Sequence, residues 1–190
     1  GNFAAALLHH DKTAPLPFET MAGVVTATFE KDDNVTVNLT NPHSMQLFVL
    51  NADPTVGADV HFLNTGVPHA VAFLDKLEGL DISRLGAYLR YHEAFSPKGT
   101  NANFARILSP GHIAIRTYER GVEDETLACG TGMTACALLH AVLTDAPSPI
   151  QVDVAGGDTL KVGFQRTGDR FTDVTLTGPA DLVFTGDIQI

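Results

Sequence analysis

Cys129-Gly130-Thr131-Gly132-Met133-Thr134-Ala135-Cys136-Ala137-Leu138-Leu139-His140 runs from a thiol and two glycines straight into an apolar stretch, and its last four residues open a pattern that occurs twice. Ala137-Leu138-Leu139-His140 is followed by Ala146-Pro147-Ser148-Pro149, Ala155-Gly156 and Val174-Thr175-Leu176, ending near Pro179. Ala6-Leu7-Leu8-His9 is followed in the same order by Ala14-Pro15-Leu16-Pro17, Ala22-Gly23 and Val35-Thr36-Val37-Asn38-Leu39, ending near Pro42. Ordered matches at this many places mark an internal duplication. Each copy reads as a helix, a Pro-bounded turn, a strand, a turn and a strand. Between the copies lie strand-like stretches at 58–64, 70–74 and 112–118 and a helix over 82–91. The expectation is an α+β fold of two pseudo-symmetric halves, each setting mostly antiparallel strands against one long helix. Residues 1–46 are assigned to the remainder of the first half, completed by the C-terminal strand 182–190. Residues 47–181 are assigned to the second half, which carries Cys129.

The chain has 190 residues with 44% hydrophobic content, enough for one generous core or two small ones. Its 22 acidic and 12 basic side chains give a formal charge of −10, without a run of Lys or Arg, which argues against a nucleic-acid partner and for a small molecule. No apolar stretch approaches the roughly 20 residues that span a bilayer, and the first ten residues lack the basic start of a signal peptide. No membrane partner and a cytoplasmic location are therefore expected. Cys129 and Cys136 share one helical segment, about 10 Å apart along the axis, too far for a disulfide. The eight histidines are scattered and form no H-E-x-x-H pattern, so no metal site is expected.

Chemistry concentrates in the charged, glycine-bearing loop from Tyr118 to Gly132. A helix N-terminus presents unpaired N–H groups and the positive end of the dipole, which bind anions and lower a thiol pKa, so Cys129 is expected to be a thiolate near neutral pH. Gly130 and Gly132 let an anionic group approach the backbone. The alternative for this stretch is a small buried hydrophobe followed by a simple turn. Cys136, two turns into the apolar stripe, reads as structural. The run Gly130 to Ala135 also imitates a dinucleotide-binding turn, with Asp153 in the place of its ribose-binding acid, but the preceding strand ends near Tyr118, too early for that motif. None of Lys12, Lys31, Lys76, Lys98 or Lys161 sits in a recognisable Schiff-base setting, so pyridoxal phosphate is not expected.

Glu119-Arg120-Gly121 followed by Glu125-Thr126-Leu127-Ala128-Cys129-Gly130-Thr131-Gly132 resembles the signature around the second catalytic cysteine of the diaminopimelate epimerase family. The resemblance extends in order through Asn64 to His69, His92 to Phe95, Gly99 to Phe104 and Leu176 to Ala180. It implies two halves, each a curved sheet or barrel wrapped around a central helix. It also implies cofactor-independent epimerisation at an amino-acid α-carbon, one thiol removing the proton and the other returning one. By the same resemblance Cys129 is one acid/base group. Gly130 and Thr131 hold the substrate α-carboxylate, and Gly1, Asn2 and Asn101 contact polar substrate groups. Arg120 clamps the distal carboxylate through its fixed fork, while Glu119 and His69 contact the substrate amine or orient the site. Gly1-Asn2 looks like the pair directly after the family's first catalytic cysteine, so that cysteine is expected just before residue 1, together with about the first quarter of a full-length member. A homodimer is implied, and facing thiols would make the enzyme sensitive to oxidation. Two departures stand out: Val67 replaces an Asn found in many members, and Ala4, Ala5 and Ala6 offer no counterpart to an arginine usual after the Gly-Asn pair.

Three functions are compatible with these residues. The first is interconversion of LL- and meso-diaminopimelate in lysine and peptidoglycan precursor synthesis. The second is racemisation of another amino acid by related chemistry. The third is a non-catalytic binding fragment without the first thiol. Residue by residue the ordinary alternatives remain: Asn101 capping a turn, His69 as a satisfied core histidine, and Glu119-Arg120 as a surface pair.

Overall fold

The computed structural model describes residues 14–20, 23–30, 34–180, 184 and 186–187. The helix expected over the first Ala-Leu-Leu-His quartet, Gly1, Asn2 and most of 182–190 lie outside them. The described strands are β1 (Leu16–Thr20), β2 (Gly23–Phe29), β3 (Asn34–Asn38), β4 (His43–Asp53), β5 (Ala58–Asn64), β6 (Pro68–Phe73), β7 (Asn101–Ser109), β8 (His112–Glu119), β9 (Asp124–Thr126), β10 (Ile150–Asp153), β11 (Thr159–Thr167) and β12 (Arg170–Pro179). The α-helices among the described residues are α1 (Ile82–Tyr91) and α2 (Gly130–Thr144). The strands form one sheet in the order β1-β2-β3-β12-β11-β10-β8-β7-β6-β5-β4, with β9 paired to β8.

The duplicated strands meet at the centre of that order. β3 and β12 are antiparallel neighbours with Val37 opposite Leu176, Thr36 opposite Thr177 and Asn38 opposite Thr175. Val35-Thr36-Val37 and Val174-Thr175-Leu176 are the matched strands of the repeat, and their equivalent residues Val37 and Leu176 face one another at the centre of the pairing. The sequence β1-β2-β3 then mirrors β10-β11-β12 about the Val37/Leu176 pair. A pseudo-twofold relation is what two copies of one unit produce when they join edge to edge.

Pairing is antiparallel except between β6 and β7 and between β8 and β10. Parallel neighbours need a crossover, and each helix supplies one: α1 joins β6 to β7 and α2 joins β8 to β10. The helices lie on opposite faces. Along β6, Val71 points to the α2 core with Leu63, Ala105, Ile113 and Ile115, whereas Ala70 and Ala72 point to the α1 core with Val60, Phe104 and Leu89. Burial on both faces explains the unbroken apolar run of β6.

α2 contacts β5, β6, β7, β8, β10, β11 and β12, and every residue from Gly132 to Ala141 is buried. A helix apolar on all sides is stable only when enclosed in this way. α1 is amphipathic instead, burying Ile82, Leu85, Gly86 and Leu89. It is capped by Asp81, whose carboxylate accepts the Arg84 N–H at 3.1 Å. At Gly86 a Cβ would stand 2.3 Å from the Tyr118 Cβ, so the glycine sets how closely α1 approaches β8. The gap that the sequence leaves between Tyr118 and α2 holds the short β9, antiparallel to β8. It therefore does not form the strand of a dinucleotide-binding βαβ unit.

Candidate active site

β6 and β7 run parallel while β8 runs against them, so the start of β6, the start of β7 and the end of β8 share one edge of the sheet. His69 is opposite Asn101 and Ala102 is opposite Tyr118. Glu119 and Arg120 emerge immediately beyond. The start of α2 is held at the same edge, where the Thr65 hydroxyl donates to the Thr131 carbonyl at 2.9 Å. Cys129, Gly130, Thr131, Glu119, Arg120, His69 and Asn101 thereby come from four segments to the same end of the sheet.

Cys129 is the N-cap of α2, with extended backbone angles of φ −135° and ψ 106°. The first helical hydrogen bond runs from the Met133 N–H to the Cys129 carbonyl at 2.8 Å, which leaves the N–H groups of Gly130, Thr131 and Gly132 ahead of the helical ladder. The position matches the expectation; the ionisation does not. Burial, with the thiol-bearing residue only 8% exposed, pushes the Cys129 pKa up. The Thr131 hydroxyl, 3.6 Å from Sγ, and the Gly132 and Thr131 N–H groups pull it down, while the Glu119 charge pushes it up again. Desolvation outweighs the helix terminus, so the resting group is a thiol. Cys136 is fully buried among α2 neighbours and its pKa is also raised by burial, consistent with a structural residue.

Asn101 works in two directions. Its Nδ2 donates to the Pro68 carbonyl at 3.1 Å, and its Oδ1 accepts the Arg120 N–H at 2.7 Å, tying β6 to the turn after β8. The Arg120 guanidinium spends one N–H on the Lys98 carbonyl at 3.1 Å, leaving the rest of its fork for a ligand. Glu123 braces the same turn: its carboxylate accepts from the Gly121 N–H, from Arg90 and from the Tyr91 hydroxyl, each at 3.1 Å. Arg120 also borders a cavity of about 400 Å³ whose wall includes Gln46, Phe62, Asn64, Phe95 and Lys98. Cys129 is not part of that wall. Gly66 and Pro68 line the cavity on either side of Val67.

His69 is completely buried, and burial, with help from the nearby Arg120 charge, lowers its pKa to about 3. It is neutral at any physiological pH. Its Nδ1 lies 3.1 Å from Asn103 Nδ2, and its Nε2 has no hydrogen-bond partner among the described residues. Asn103 was not among the residues singled out from the sequence for a role. A second asparagine two positions after Asn101, on the same face of a largely apolar strand, is the signal that marks it.

The sequence model of the diaminopimelate epimerase family matches residues 61–183, which include every described site residue. The chain belongs to the diaminopimelate epimerase family. A diaminopimelate epimerase of Aquifex aeolicus strain VF5 is 42% identical over 174 residues, covering 90% of this chain and 61% of that protein. One from Hydrogenobaculum sp. strain Y04AAS1 is 41% identical over 188 residues, covering 96% of this chain and 66% of that protein. The chain thus spans between three fifths and two thirds of the length of these two curated members of the family. Among solved structures, a probable proline racemase from Agrobacterium radiobacter K84 superposes with a TM-score of 0.67 at 20% identity, covering 93% of this chain and 61% of that one. A phenazine biosynthesis protein from Bacillus anthracis gives 0.67 at 12% identity, covering 94% and 70%. At those identities the superpositions show the epimerase family's fold alone.

Proposed function

We propose that this chain carries the Cys129 half of a cofactor-independent epimerase that interconverts LL- and meso-diaminopimelate, in the supply of lysine and peptidoglycan precursors. The observation that supports it most is the placement of a buried thiol at the N-terminus of an enclosed helix, within the field of Glu119 and at the sheet end where Arg120, His69 and Asn101 also lie, in a chain 42% identical to a named diaminopimelate epimerase. Cys129, a thiol at rest, delivers a proton to one face of the α-carbon while a second thiolate removes the proton from the other face; the roles exchange in the reverse reaction. The α-carboxylate takes the N–H groups of Gly130 and Thr131, where charge developing on the carbanion is stabilised by donors already in place. Arg120 takes the distal carboxylate, with Asn101 fixing the Arg120 backbone. By the family resemblance Gly1 and Asn2 contact polar substrate groups, and the Glu119 charge acts on the Cys129 thiol. The two halves at 1–46 with 182–190 and at 47–181, a homodimer and a cytoplasmic location belong to the same proposal. Among the described residues no helix is long and apolar enough to cross a membrane.

The substrate assignment is tested by following deuterium incorporation from heavy water into LL-diaminopimelate and into amino acids without a distal carboxylate, each with the intact gene product and its Arg120→Lys variant. Exchange confined to diaminopimelate and weakened at least tenfold by the variant is expected. Comparable exchange of the other amino acids, indifferent to Arg120→Lys, would instead support a racemase of broader range.

A further inference from the structure

The proposed proton transfer between two thiols gives His69 no proton to carry, yet the histidine is buried in the site with one ring nitrogen unpartnered among the described residues. Its surroundings determine which nitrogen holds the hydrogen. Asn103 Nδ2 lies 3.0 Å from the Ala70 carbonyl, which can only accept, so the amide nitrogen must face it and the amide cannot be turned over. The opposite end agrees, because Asn103 Oδ1 accepts the Thr117 hydroxyl at 3.0 Å. One Nδ2 hydrogen is used by Ala70 and the other points to His69 Nδ1 at 3.1 Å. His69 Nδ1 is therefore an acceptor bearing a lone pair, and the hydrogen of the neutral ring is on Nε2. All three side chains are buried: Asn103 and His69 are 0% exposed and Thr117 is 2% exposed, so water does not supply an alternative partner.

We infer that Asn103 is a positioning residue that locks His69 in the Nε2–H form, making His69 a neutral hydrogen-bond donor to a carboxylate oxygen of the substrate rather than a proton acceptor. The carboxylate rests on the proposed epimerase function; the tautomer does not. Asn103 also reaches the other side of the site, since a Cβ on Gly132 would stand 2.5 Å from its Oδ1. One buried amide thus sets the ring of His69 and sits against the first turn of the Cys129 helix.

The test is a long-range ¹H–¹⁵N correlation spectrum of the intact protein labelled with ¹⁵N-histidine, with His69 assigned by its loss in His69→Gln. The ring should show the pattern of a neutral imidazole protonated on Nε2 throughout about pH 5 to 8. In Asn103→Asp the carboxylate can only accept, so the hydrogen should move to Nδ1 or the ring should become doubly protonated. A wild-type ring protonated on Nδ1 or on both nitrogens overturns the inference, and so does an unchanged Nε2–H pattern in Asn103→Asp. Should that variant fail to fold, the wild-type spectrum decides alone. Because this readout needs no turnover, a failed exchange assay with the Nε2–H pattern present would remove the function and leave the lock standing.

Discussion

Gly132 and Asn103 are in contact so close that a Cβ on the glycine would stand 2.5 Å from the asparagine Oδ1, and 3.3 Å from the Cys129 Sγ. Asn103 cannot retreat without releasing Thr117, His69 or Ala70. Alanine at 132 is therefore expected to destabilise the fold by about 1–3 kcal/mol despite its better helix propensity. It should also lower α-hydrogen exchange more than tenfold by displacing the thiol. Urea denaturation and exchange rates on the same variant check both; a stabilised, fully active variant would show that the contact is relaxed at no cost.

Gly86→Ala makes a parallel case outside the site. An alanine in a helix interior is ordinarily worth up to about 1 kcal/mol over glycine, but here the methyl would lie 2.3 Å from the Tyr118 Cβ. Loss of about 1–3 kcal/mol is expected in a urea melt, with α1 pushed off β8.

Much of the frame was legible because it depends on local periodicity. The stretch 58–64 and the helix 82–91 have the bounds read from the sequence, β8 runs one residue further than read, and β6 begins two residues earlier. The duplication foretold two related strand sets, and the Val37/Leu176 pair is where they join. β4 escaped notice because Ser44, Phe48 and Ala52 have positive φ, which breaks the two-residue alternation of this edge strand. The parallel junctions and the opposite faces taken by the helices depend on partners distant in sequence, which no local pattern names. The site residues were legible through the motif around Cys129, but the thiol's ionisation was not: the helix terminus is visible in the sequence, and the burial that outweighs it is a product of tertiary packing that the motif does not name.

The buried His69 makes stability depend on acid. Its pKa is about 3 in the fold against 6.5 for an ordinary histidine, so between those values the unfolded chain binds a proton that the folded chain does not. Stability contributed by the neutral ring is complete above pH 6.5 and falls as pH drops through that window. At pH 5 the loss from this group is about 2 kcal/mol, and His61 and His140, also shifted downward by burial, add in the same direction. Urea melts from pH 7 to 5 should show the decline, less steeply in a folded His69→Gln variant.

Thiol reactivity should report the ionisation of Cys129. With its pKa raised by burial, alkylation by iodoacetamide in the ligand-free protein should still be climbing at pH values above the ordinary thiol range near 8.5. Cys136 should remain unlabelled until the protein unfolds. Mass spectrometry of timed reactions distinguishes the two sites, and a Cys129 labelling rate that levels off below about pH 7 would mean that the helix terminus prevails over burial.

The most direct measurement is deuterium exchange at the α-carbon of LL-diaminopimelate in heavy water, without added cofactor, by the intact gene product and by Cys129→Ala. Exchange by the former that the substitution abolishes is the result expected if Cys129 moves the α-proton. Undiminished exchange in Cys129→Ala, or none by the intact and fully reduced protein, would contradict carbon-acid chemistry at this thiol.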